Sequence, residues 1–149
     1  MSEVTDLQNQ VDIKTGQFVA LTLATCGFYL PYWMLLNTKK IEEITKAKIM
    51  EYKVLFFMIG LSGWGASVQG IPGAIQFSLI LSLAASAIYI YWAFKARKAI
   101  QEYALNTHKI DLPMNAFYTF ILGAFYINYC INDLPDVMRK KLILTTGNQ

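Results

Sequence analysis

Along the chain, apolar residues gather into four long uncharged blocks separated by charged stretches, instead of recurring in the short periodic runs of a soluble domain. The blocks run from Phe18 to Leu36, Val54 to Ile71, Ala74 to Phe94 and Met114 to Ile131, and contain 19, 18, 21 and 18 residues. Each is close to the ~20 residues that a helix needs to cross a hydrocarbon core about 30 Å thick. In lipid the backbone must satisfy its own hydrogen bonds, so each block is predicted to be helical. The expected fold is therefore all-α: an integral membrane bundle of four hydrophobic helices over 18–36, 54–71, 74–94 and 114–131. A polar N-terminal tail over 1–15 and a C-terminal tail over 135–149 flank a membrane domain over 16–134.

The second and third blocks are joined only by Gly70-Ile71-Pro72-Gly73, with proline and glycine where a type II turn needs them, which predicts an antiparallel hairpin. The first and fourth blocks are interrupted by Cys26-Gly27-Phe28-Tyr29-Leu30-Pro31-Tyr32-Trp33 and by Gly123-Ala124-Phe125-Tyr126-Ile127-Asn128-Tyr129-Cys130, which align as small-Phe-Tyr-x-x-Tyr. A shorter echo, Ala87-Ile88-Tyr89-Ile90-Tyr91-Trp92, closes the third block, giving a weak internal repeat. Tyrosine and tryptophan favour the headgroup level, so Tyr29, Tyr32, Trp33, Tyr91, Trp92, Tyr126 and Tyr129 are expected to form girdles where helices leave the membrane. Gly27 with Pro31 introduces a second arrangement, in which the first and fourth blocks are kinked or re-entrant.

Charge bears on this choice. Five of the thirteen Lys and Arg residues lie between Asn37 and Lys53, and four more between Lys95 and Pro113. Four full spans place these nine in the cytoplasm and both termini outside, which leaves Arg139-Lys140-Lys141 on the wrong side. With re-entrant first and fourth blocks, only the second and third cross, and all thirteen basic residues are cytoplasmic. Block length favours the former arrangement and charge the latter. In the connecting loops, Glu42 with Lys46 and Lys98 with Glu102 are i,i+4 pairs that extend the helices beyond the membrane. Asn106-Thr107 is expected to end the second extension, and Asp111 to cap the fourth block with Pro113 in its first turn.

Overall, 55% of residues are hydrophobic and 15% charged, against about 25% charged in soluble proteins, which argues against a water-soluble enzyme and against disorder. The polar, net acidic first fifteen residues and the aromatic end of the first block indicate an uncleaved anchor, not a cleaved signal. Leu23-Ala24-Thr25-Cys26-Gly27 is a poor lipoprotein box because the residues after Cys26 stay apolar. Cys26 and Cys130 are expected to be buried free thiols.

Chemistry-bearing patterns are sparse. The lone His108 lacks partners at metal-ligand spacing, and no triad or phosphate-cradling loop is present, so neither metal nor cofactor is expected. Gly60, Gly63 and Gly65 face Ser78, Ser82 and Ser86 as a close helix–helix approach. The remaining polar candidates are Gln69 and Gln76 beside the short turn, Asn115 and Asn128 in the fourth block, and Asn132-Asp133 at its end. The last pair either caps backbone groups at the helix exit or binds an ion or lipid headgroup.

Gly27-Phe28-Tyr29-Leu30-Pro31-Tyr32-Trp33 followed by a charged helix, Tyr91-Trp92 before Lys95-Ala96-Arg97-Lys98, and Tyr126-Ile127-Asn128-Tyr129 with Asn132 together resemble a family of small bacterial multi-spanning membrane proteins known only as a domain of unknown function. The resemblance implies a bacterial inner-membrane location and a multi-pass layout, and no reaction. The expected role is that of a non-enzymatic structural or accessory protein whose partners are the bilayer and either further copies of itself or a larger membrane complex, with no nucleic acid. The alternative is a small oligomeric channel or transporter built around Gln69, Gln76 and Asn128. A lipid-directed enzyme using Tyr126, Asn132 and Asp133 is a remote third.

Overall fold

The computed structural model describes residues 2–11 and 13–146, and among these the fold is all helical. Seven helices follow one another: α1 (Ser2–Val11), α2 (Thr15–Ala24), α3 (Tyr29–Thr45), α4 (Tyr52–Val68), α5 (Ile75–His108), α6 (Ala116–Leu122) and α7 (Ala124–Thr146).

Only the second and third apolar blocks are continuous helices. They pair as the α4–α5 hairpin, the most extensive helix contact among the described residues. The turn between them has the geometry its sequence predicts: the Ala74 N–H donates to Ile71 O at 3.1 Å, and Gly73 takes the positive φ of 83° that a type II turn requires. Of the three glycines predicted to allow close approach, Gly65 does so. Ser78 Oγ donates to Gly65 O at 2.8 Å, and a Cβ on Gly65 would lie 3.1 Å from Ser82 Oγ. Gly60 and Gly63 face open space.

The first block is two helices folded back on each other. Phe18 in α2 stacks on Trp33 in α3 with ring centroids 4.6 Å apart, whereas a continuous helix would separate these residues by about 22 Å. The reversal is a Schellman turn. Cys26 is left-handed (φ 50°), its N–H donates to Leu23 O at 3.1 Å, and the Gly27 N–H donates to Thr22 O at 2.7 Å. Gly27 continues the turn at φ 92°. Pro31 does not kink the block; it falls in the first turn of α3, where a missing N–H leaves no helical bond unmade.

The fourth block divides in the same way. Gly123, at φ 49° and ψ −119°, separates α6 from α7. The Asn115 N–H reaches Tyr126 Oη at 2.9 Å across a span that a straight helix would stretch to about 16 Å. Asn115, not Asp111, caps α6, its Oδ1 accepting from the Phe117 N–H at 2.8 Å. An asparagine immediately before the first turn outcompetes an acid several residues upstream.

The charged stretches and both tails join this helical body. The third block runs on without a break, so α5 extends to His108, close to the end expected at Asn106-Thr107. The Lys98–Glu102 pair forms, with Nζ to Oε1 at 3.6 Å. Glu42 does not pair with Lys46. α3 ends at Thr45, Lys46 turns left-handed, and Glu42 Oε1 accepts instead from the N–H groups of Ile49 and Met50 at 2.6 and 3.1 Å. The N-terminal segment expected as a tail is helix α1, because Leu7 and Val11 fall on one face and are buried against α3 and α7. The C-terminal segment continues α7 through Pro135.

The core sits at one end of the molecule. Phe18, Trp33, Trp92 and Ile127 are fully buried there, and the second half of α5 contributes Ala93, Ala96, Ala99, Ile100 and Ala104. The other end is α4–α5 alone. From Gly60 to Ala84 only Gly65 and Ser78 are buried, and they bury each other, while Trp64, Ile80 and Leu83 are 63–71% exposed. Among the described residues one helix, α5, is long and apolar enough to cross a membrane, and only 22% of its most apolar window is buried; α4 is a shorter apolar helix.

Candidate functional site

The polar residues singled out in the fourth block converge on the start of α2. Asn128 is completely buried, and its Oδ1 accepts from Thr15 Oγ1 at 2.9 Å and from Asn132 Nδ2 at 3.1 Å. Its Nδ2 donates to Ile13 O at 3.2 Å, an oxygen that also accepts from Asn132 Nδ2 at 3.0 Å. Gln8 Nε2 donates to Asn132 O at 3.3 Å, which ties α1 to the same place. Two asparagines one turn apart on α7 thus hold the backbone just before α2, so that the two folded-back hairpins are fixed to each other. Asp133 is half-buried next to this network.

A second polar junction holds the tip of the α6–α7 hairpin. Tyr89 Oη accepts from the Ala124 N–H at 2.8 Å and donates to Leu122 O at 3.4 Å, so it spans the Gly123 turn from α5. A Cβ on Gly123 would overlap the Tyr89 ring, which is why this position must be glycine. Further along α5, Arg97 Nε and Nη2 both donate to Met114 O, at 3.0 and 2.7 Å, and Gln101 Nε2 donates to Leu112 O at 3.0 Å. These bonds strap the segment before α6 along α5.

The aromatic residues expected as interfacial girdles divide between core and surface. Trp92 is buried, its Nε1 donating to Thr38 Oγ1 at 2.9 Å, and it meets the buried Trp33 edge to face at 6.3 Å. Tyr29 and Tyr126 are half-buried, whereas Tyr32, Tyr91 and Tyr129 are exposed. Tyr126 and Tyr129 stack at 6.4 Å, and Lys95 Nζ lies 5.6 Å from the centre of the Tyr91 ring.

Two grooves accompany these junctions. One, of about 500 Å³, lies between the Cys26–Pro31 turn and α4–α5, with Ser62, Gly63, Gln69, Ser82 and Ser86 on its walls. The other, of about 600 Å³, lies between α2 and the α6–α7 hairpin and is walled by Val19, Leu23, Leu122, Phe125, Tyr126 and Tyr129. Gln69 lines the first groove; Gln76 and Asn128 line neither. Within a single chain Gln69, Gln76 and Asn128 share neither of these two grooves. Among the described residues no group of three His, Cys, Asp or Glu side chains could hold a metal ion. Cys26 is exposed at the first tip, not buried as expected, because the hairpin turn projects it outward; Cys130 is buried, and both are free thiols.

Thr15 and Thr38 had no distinguishing pattern in the sequence, and Arg97 stood out only as one of a basic run, yet each anchors a junction. Their partners are 54 or more residues away for the threonines and a bare backbone carbonyl for the arginine, which no local spacing reveals.

Comparison with known proteins finds a match between residues 14–102 and the model of a family described as a domain of unknown function, DUF4234. No curated protein and no solved structure matches the chain.

Proposed function

The chain belongs to the DUF4234 family, a domain of unknown function, and we propose that it is a non-enzymatic structural or accessory protein of a bacterial inner membrane. In this reading α4–α5 crosses the bilayer, while α2–α3 and α6–α7 enter and leave on one side as half-depth hairpins. Both termini and all thirteen Lys and Arg residues then share the cytoplasmic face.

The observation that carries the reading is the solitary projection of α4–α5. Between Gly60 and Ala84 the hairpin leaves Trp64, Phe77, Leu79, Ile80 and Leu83 more than half exposed. Leaving five such side chains in water would forgo roughly 7–15 kcal/mol, as much as the entire stability of an ordinary domain. Lipid removes that cost. Lengths agree: the apolar part of α5 from Ile75 to Phe94 is about 30 Å long, whereas α2 and α6, at 10 and 7 residues, reach only about 15 and 10 Å. A structural role is supported by how the polar side chains are used. Asn128, Asn132, Tyr89, Trp92 and Arg97 all bond to the chain itself.

Single-cysteine labelling with a membrane-impermeant thiol reagent, on a Cys26→Ser, Cys130→Ala background, tests the topology. Gly70→Cys should react from one side, and Lys14→Cys, Lys48→Cys, Asp111→Cys and Arg139→Cys from the other. Four full spans would instead place Lys14 and Arg139 on the Gly70 side. For the accessory role, purification in mild detergent should give a homo-oligomer or a stoichiometric complex; a strict monomer in detergent and bilayers, with no co-purifying protein, would remove it.

A further inference from the structure

We propose that this protein is a one-leaflet wedge: a rigid insert that favours curved bilayers, with the leaflet on its basic side on the convex face. The inference rests on the topology proposed above and concerns what that topology does to the lipid.

Two independent lengths agree on the depth of the second hairpin's tip. α6 is 7 residues, about 10 Å, so its Gly123 tip lies that far below the surface. The same tip is bonded to Tyr89, which lies about 8 Å along α5 from Phe94, where the apolar run meets Lys95. Both fall within the ~15 Å thickness of one leaflet. The first tip, at Cys26–Phe28, faces the same stretch of α4–α5, sharing a groove with Met58, Ala85 and Tyr89.

One leaflet therefore contains α4, α5 and the two legs of each half-depth hairpin, and the other contains α4 and α5 alone. Each helix occupies roughly 80–110 Å², so the four extra legs add about 300–450 Å² to one side only. The tips carry the side chains of a lipid-embedded surface: Leu23 and Phe28 are 74% and 77% exposed on the first, and Phe120 and Ile121 are 53% and 58% exposed on the second. The legs cannot splay or slide to relieve the mismatch. Tyr89 fixes the depth of the second tip, Asn128 and Asn132 lock α7 to the start of α2, and Phe18 stacks on Trp33 and packs tilted against Phe125. A rigid insert with unequal cross-sections lowers its free energy where the crowded leaflet is stretched, which is the convex side of a curved membrane.

The test uses the full chain, fluorescently labelled and reconstituted into a mixed-size population of phosphatidylethanolamine–phosphatidylglycerol vesicles, with protein and lipid signals read vesicle by vesicle. The protein-to-lipid ratio should rise severalfold from the largest to the smallest vesicles. On the small ones Lys14→Cys should be labelled almost entirely from outside. Leu23→Ser with Phe28→Ser, both at exposed positions, should flatten the size dependence while leaving Lys14→Cys and Gly70→Cys labelled from opposite sides. A ratio independent of vesicle size, with Lys14 and Gly70 still on opposite sides, overturns the wedge and leaves the topology intact. Lys14 and Gly70 on the same side overturns both. Size dependence that persists in the double variant, with unchanged sidedness, overturns the assignment to the hairpin tips.

Discussion

Asn128 separates a pore-lining role from a structural one, because its truncation has a cost that can be read from its bonds. Asn128→Ala deletes the acceptor of Thr15 Oγ1 and the donor to Ile13 O, yet Ile13 O keeps Asn132 Nδ2 at 3.0 Å, and Asn132 Nδ2 keeps the backbone oxygen of residue 128 at 3.0 Å. Only the half-buried Thr15 hydroxyl loses its sole acceptor. Removing one partner of a buried hydrogen bond costs roughly 1–3 kcal/mol, and less for a half-buried hydroxyl that water can reach. Hydrogen bonds between membrane helices average nearer 0.6 kcal/mol, so the expected destabilisation is about 1–2 kcal/mol. The assay is thermal unfolding in mild detergent combined with tryptic cleavage after Lys14, the exposed residue at the loosened joint. Asn128→Ala should lower Tm and accelerate that cleavage, whereas Gln69→Ala and Gln76→Ala, both at exposed positions, should do neither. Thr15→Val removes the donor itself and should cost about 1 kcal/mol, and in the double variant the penalty of Asn128→Ala should shrink by a similar amount. Unchanged Tm and cleavage in Asn128→Ala, or strictly additive losses with Thr15→Val, would refute the clamp.

The two hairpin tips make opposite demands on glycine. Gly123→Ala would force a Cβ into the Tyr89 ring and should cost about 3 kcal/mol or more, while Gly27→Ala, with open space around it, should cost only the ~1–2 kcal/mol of backbone strain; chemical unfolding of both variants checks the order. In α4, Gly65→Val should separate the helices and break the Ser78 bond at a cost of about 2 kcal/mol, whereas Gly63→Ala, in open space, should be neutral or gain up to about 1 kcal/mol by the same measurement. At the surface, Lys48 and Glu51 bond at 2.8 Å, and this bond, aided by the opposite charge, holds the Glu51 carboxyl below and the Lys48 ammonium above their ordinary values. The contribution of Glu51 is complete above the usual carboxylate range and is lost as pH falls through its lowered value; that of Lys48 is complete below the usual lysine range and is lost as pH rises through its raised value. The Tm difference between the protein and Glu51→Gln should therefore be small, flat around neutrality, smaller at both pH extremes, and smaller again in high salt.

Much of the helical layout was legible in the sequence, and the part that was not has one cause. The α4–α5 hairpin could be read because Pro72-Gly73 fixes a turn chemistry that few other geometries accept. The end of α5 could be read because Asn106, Thr107 and His108 interrupt a long helix-forming run. The course of the first and fourth blocks could not, since hydropathy sums along the chain and gives 18 or 19 apolar residues the same score whether they run straight or double back. What reverses them is local: left-handed conformations at Cys26 and Gly27 in one, and at Gly123 in the other. The repeated small-Phe-Tyr-x-x-Tyr motif did mark the place. It begins at Gly27 and at Ala124, immediately at each reversal, so the pattern read as the end of a helix is the start of a returning one. For the same reason Trp33 lies inside the molecule: folded back, it meets Phe18.

On the proposed topology, charge contained the information that hydropathy lacked. Arg139-Lys140-Lys141 conflicted with four full spans because each additional crossing inverts the side on which every later residue falls. A half-depth hairpin inverts nothing. Replacing two crossings with two such hairpins leaves the α4–α5 pair as the only inversion and its reversal, and the nine loop cations and four terminal cations then fall on one face without exception. On that proposed topology the same replacement places unequal helix cross-section in the two leaflets. In the proposed reading, an anomaly in the distribution of thirteen cations and an asymmetry in the lipid-facing shape are thus two consequences of the same local event, a handful of positive φ angles at Cys26, Gly27 and Gly123.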